Sequence, residues 1–184
     1  LIANSSNSIE LASTIIYSIG VCMMFGFSAL YHRVDWRSRV LIIMRRLDHS
    51  AIFVMIAGSF TPICLLVLPG NTGIQLLFII WIIAGIGILQ TVLFTETPRL
   101  IRAGIYLVAG YMAIPYLSVM FSVMSMTNFI LTAASGTIYT VGAIGYGFQF
   151  PDISPKYFGY HEFFHILVSI AAVLHFIVIY SIVG

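Results

Sequence analysis

Six apolar stretches, each about as long as a bilayer is thick, divide this chain, and short polar turns separate them. They run roughly over residues 9–31, 47–68, 73–94, 102–123, 127–146 and 159–182. A hydrocarbon core of about 30 Å needs roughly 20 apolar residues in helical form. Backbone groups inside that core must satisfy one another, which a helix does within one segment. The pattern therefore predicts an all-α fold, a polytopic membrane helix bundle with six spans in one domain, residues 1–184.

Breakers fall where such a bundle needs them. Pro69-Gly70-Asn71 is a turn, and Thr97-Pro98 suits a helix start after a tight turn. Thr61-Pro62 and Pro115 lie inside spans two and four, where proline predicts kinks. Between arginines, Val40–Met44 is apolar, so Trp36–Met44 is expected to lie along the membrane interface as a short amphipathic helix. The fifth span is rich in Ala133, Ala134, Ser135, Gly136, Gly142, Ala143 and Gly145, and small residues let helix backbones approach closely. It is expected to pack centrally.

Composition closes off the soluble alternative. The chain is 60% hydrophobic and 8% charged, against about 25% charged in soluble domains, so it could not cover a water-facing surface. No nucleic-acid partner is expected. Cys22 and Cys64 both sit in apolar segments and read as buried thiols without a disulfide framework.

The net charge of +2 says less than its placement. All eight Lys and Arg lie in or beside the connections after spans one, three and five: Arg33, Arg37, Arg39, Arg45 and Arg46, then Arg99 and Arg102, then Lys156. The opposite connections, 69–72 and 124–126, hold none. The positive-inside rule makes the basic loops cytoplasmic. A multi-pass cell-membrane protein with its C-terminus outside follows. The first helix then enters from outside, and an even span count with both ends outside fits a missing preceding helix. Leu1–Ser8 has no signal-peptide shape.

This orientation brings costly residues to one depth. His32 ends span one on the cytoplasmic side, Asp48 and His49 begin span two there, and His161 and His165 begin span six. Ser28 lies one turn before His32 on the same helix face. Histidines at i and i+4 stand about 40° apart around a helix, so His161 and His165 can reach one metal ion. His175, ten residues past His165, lies about 15 Å deeper and suits a supporting or packing role. Taken singly, His32 also reads as an interfacial residue, Asp48 as a cap or a partner of Arg45 or Arg46, and His49 as a hydrogen-bonding residue outside any metal shell.

Together, His32, His161 and His165 supply the three nitrogen ligands of an open, catalytic zinc site. Asp48 would then orient the bound water or accept its proton, since zinc lowers the pKa of water to about 7. His161-Glu162-Phe163-Phe164-His165 also matches the H-E-x-x-H pattern of zinc proteases.

Three motifs in order carry a family resemblance: Ser28-x-x-x-His32; Arg46-Leu47-Asp48-His49-Ser50-Ala51-Ile52-Phe53 followed by Ala57-Gly58-Ser59-Phe60-Thr61-Pro62; and His161-Glu162-x-x-His165 with His175. The chain resembles the hemolysin III family, related to progestin and adiponectin receptors and more distantly to alkaline ceramidases. The resemblance implies a seven-helix bundle with a cytoplasmic N-terminus and a zinc ion near the cytoplasmic face. It also implies ligands at His32, His161 and His165, with Ser28 and Asp48 around the metal-bound water. The family's first helix is absent from this chain. Receptor relatives commonly carry Gln at the position of Glu162, which argues against a protease-like base.

The expected function is hydrolysis of a lipid amide or ester, such as a ceramide-like membrane lipid, through zinc-activated water. A pore-forming hemolysin (cytolysis) or a receptor-like membrane regulator with a structural zinc is the second expectation. An intramembrane metalloprotease is the third.

Overall fold

The apolar runs become helices whose ends sit at polar caps and prolines. The computed structural model describes residues 1–94, 96–154 and 158–183; Pro155 and Lys156, in the loop before the last span, lie outside the described residues. It is all-helical, with only an isolated antiparallel bridge, Ser154 to Phe158, among them. The helices are α1 (Ser8–Arg33), α2 (Ser38–Pro62), α3 (Gly70–Leu93), α4 (Arg99–Tyr111), α5 (Leu117–Val123), α6 (Met126–Phe148) and α7 (Tyr160–Ile182). Among the described residues, six segments are long and apolar enough to cross a membrane, α4 and α5 together forming the fourth. The protein is a multi-pass membrane protein.

Local chemistry explains the boundaries. Asn7 caps α1, its side chain accepting from the N–H groups of Ile9 and Glu10. Gly70, at φ 49°, takes the left-handed conformation of the turn into α3. In span four, Pro115 cannot donate to the helix ladder; α4 ends at Tyr111, a 3-10 turn covers Ile114–Tyr116, and α5 resumes at Leu117. Span two accommodates Pro62 differently, by widening into a π-helical turn over Ile63–Val67.

One expectation fails here. Trp36–Met44 is not a separate interfacial helix, because α2 begins at Ser38 and continues unbroken to Pro62. No helix breaker separates Ser38 from Leu47, and Arg45 and Arg46 are good helix formers that carry the winding through.

The chain divides into two compact units, one of Leu1–Glu96, to which Ile182 and Val183 also belong, and one of Thr97–Ser181. In the first, α2 lies between α1 and α3, antiparallel to both. Its apolar window is 61% buried, against 22–28% for the other spans. Gly20 of α1 meets the Val54 carbonyl and Met55 Cα, and Gly58 of α2 meets the Ile16 carbonyl and Tyr17 Cα. On the other side, Phe53 lies against Gly87, Trp81 donates to Thr61 Oγ1 at 3.1 Å, and Gly73 abuts the Cys64 carbonyl.

In the second unit, α6 touches both α4 and α7, but its window is only 28% buried, so the most buried span is α2 and not, as its small residues lead one to expect, α6. Gly147 packs on Leu100 and Ala103 of α4, and Gly142 on Phe164 and Leu167 of α7. Without hydrophobic drive between helices in lipid, such close backbone approach supplies the dispersion energy that holds them together.

Candidate functional site

The α1–α2 pairing carries the first group of polar residues. Its antiparallel register, with Gly20 beside Met55 and Gly58 beside Tyr17, brings Ser28 of α1 to Asp48 of α2. The Ser28 hydroxyl is a hydrogen-bonding neighbour of the Asp48 carboxyl, and Asp48 is buried. His32 stands one turn beyond Ser28, exposed at the end of α1, its ring edge-on to Tyr31. Arg45 does not take Asp48 as its partner: it faces Glu96 at 3.8 Å. His49 is half-buried.

The second group belongs to α7. His161 and His165, both half-buried, turn their Nε2 atoms toward one another at 3.1 Å. Their rings stand almost perpendicular, at 83°, with centroids 4.6 Å apart. One ring N–H can donate to the other nitrogen at that distance. It is also close to the separation of two nitrogens on one tetrahedral zinc, about 3.3 Å for bonds of 2.0–2.1 Å. The donor set therefore fits a metal in kind and in spacing.

Neighbouring aromatics fix this pair. Tyr146 of α6 lies 5.9 Å, ring to ring, from His161 and 5.1 Å from Phe164, while Phe164 lies 5.7 Å from His165. Deeper along the same two helices, Ser135 and His175 are both buried and bond at 2.7 Å through His175 Nδ1. The Ser135 hydroxyl already donates to the Thr132 carbonyl at 2.8 Å, so its oxygen accepts and Nδ1 carries the proton. His175 thus ties α7 to α6 and takes the supporting role expected from its depth.

Two of these partners, Tyr146 and Ser135, were not expected from the sequence. A signal was present: Thr132, Ser135, Tyr139, Gly142 and Tyr146 recur every three or four residues along α6, which puts them on one helix face.

A family model described as Haemolysin-III related matches residues 1–176. The chain is similar to the Hemolysin-3 homolog of Bacillus subtilis (strain 168), at 32% identity over 144 residues, 78% of this chain and 67% of that protein. Hemolysin-3 of Bacillus cereus is 34% identical over 131 residues, 70% of this chain and 58% of that one. The Adiponectin receptor protein of Drosophila melanogaster is 27% identical over 196 residues, 95% of this chain and 44% of the receptor. The chain thus spans from under half to about two thirds of the length of these relatives.

Proposed function

Because the chain belongs to the haemolysin-III-related family, we propose that it is a membrane-embedded zinc hydrolase acting on a lipid amide or ester. The observation that carries this reading is the pair of Nε2 atoms 3.1 Å apart on α7. In an apolar setting two imidazoles are costly unless they serve something, and this spacing suits one metal ion. His32 supplies the third nitrogen in this reading, and three histidines leave a position open for chemistry, as catalytic zinc sites do. The site lies near the cytoplasmic face, where the charge pattern puts the ends of α1 and α7.

When bound, such an ion polarises the carbonyl and acidifies a water. The chain's own residues do the rest. Asp48, buried and beside the Ser28 hydroxyl, orients the attacking water and takes its proton. The water oxygen bonds to the acyl carbon, the carbon–nitrogen or carbon–oxygen bond breaks, and the proton held at Asp48 passes to the leaving amine or alcohol.

The test is product formation from a ceramide-like amide by purified protein in nanodiscs, followed by mass spectrometry. Wild type should release fatty acid, and His165→Ala should release none above the protein-free rate. A His165→Ala variant with full activity would reject the hydrolase.

The names of the two bacterial relatives support a second reading, a pore-forming hemolysin. Ion flux through proteoliposomes that persists after zinc chelation would favour it over hydrolysis.

A further inference from the structure

In a metalloprotease, the glutamate of His161-Glu162-x-x-His165 would be the catalytic base. Here its carboxylate points elsewhere. Glu162 Oε2 accepts the backbone N–H of Gly159 at 2.9 Å. Gly159 in turn accepts the Phe163 N–H on its carbonyl at 3.1 Å, which makes it the residue that caps α7, with Glu162 at the third helical position. A glutamate or glutamine there, reaching back to the N–H of the cap residue, is one half of a capping box.

The other half is missing, because glycine has no side-chain oxygen to accept the Glu162 N–H. A Cβ at Gly159 would stand 3.0 Å from Asp152 Oδ1 and 3.4 Å from Glu162 Oε2, so a serine or threonine fits poorly. Capping this helix start therefore rests on Glu162. His161 lies in the same first turn, where helices fray, while His165 lies one turn further in.

We propose that Glu162 is a positioning residue: by capping α7 it keeps the first turn wound, which holds His161 opposite His165, and it carries no proton in the chemistry. Tyr146 steadies the His161 ring from one side, and the cap steadies the backbone beneath it. Glutamine offers the same acceptor oxygen without the charge, whereas alanine offers none. The metal half of this inference rests on the proposed zinc site; the capping half does not.

The experiment compares wild type, Glu162→Gln and Glu162→Ala as full chains in nanodiscs. Two quantities are read: amide hydrogen exchange at Gly159, Phe163 and Phe164, and zinc affinity by competition with a chelator. Glu162→Gln should match wild type within about twofold in both. Glu162→Ala should exchange about fivefold faster at these amides and bind zinc weaker by a similar factor, the size of a typical cap. The proposal is overturned if Glu162→Gln is as impaired as Glu162→Ala, which would mean the charge matters, or if Glu162→Ala exchanges like wild type. Should no variant, wild type included, bind zinc, the metal reading fails while the exchange pattern still decides the cap.

Discussion

Two imidazole nitrogens 3.1 Å apart in an apolar helix and a buried carboxyl beside a serine are expensive in lipid unless each has a partner. The Ser135–His175 bond shows how the chain meets that cost away from the candidate site, with a donor and an acceptor matched across α6 and α7. Ser135→Ala removes the acceptor and leaves the Nδ1 proton of His175 unmatched. Interhelical hydrogen bonds in membranes are worth roughly 0.6–2 kcal/mol, so the variant's unfolding free energy in detergent should fall by that amount. Its zinc content should stay at the wild-type level, because His161 and His165 lie nearer the start of α7. Lost zinc with unchanged stability would contradict the supporting role of His175.

Glycine is the packing unit at the level of elements. Gly73 faces the Cys64 carbonyl beside the π-helical turn, Gly87 faces the Phe53 ring, and a Cβ at Gly85 would meet nothing within 4 Å. Gly73→Ala and Gly87→Ala should each destabilise the α2–α3 pair by about 1–3 kcal/mol, the usual cost of overpacking. Gly85→Ala should be neutral or gain up to about 1 kcal/mol from helix propensity. Equal effects at all three positions, read from thermal unfolding in one detergent, would show that these contacts do not limit stability. All six spans were legible in the sequence, because a bilayer-length apolar run has few other uses. The start of α2 was not: Val40–Met44 between arginines has the pattern of an interfacial helix, and only the absence of a breaker before Leu47 shows that the winding continues. The His161–His165 pair was legible for a local reason, the i, i+4 spacing. Ser135 with His175 was not, since the periodicity of α6 marks a polar face without naming the residue 40 positions away that it meets, and Glu162 was hidden because its motif also spells a protease.

Across the whole molecule, the charge pattern organises the account. Every Lys and Arg flanks the connections after spans one, three and five, so these connections should face the cytoplasm. With Cys22 and Cys64 replaced by serine and alanine, Ser38→Cys should react with a membrane-impermeant maleimide in inverted vesicles and not in intact cells. Asn71→Cys should do the reverse. The opposite labelling would turn the molecule over and move the candidate site to the other face. The central proposal is a zinc ion held by His161 and His165 with His32 as third ligand, and metal analysis of purified protein tests it most directly. One zinc per chain in wild type, lost in His32→Ala with the helical circular dichroism preserved, is the predicted result. A full equivalent of zinc retained by His32→Ala, or none in wild type, would contradict it.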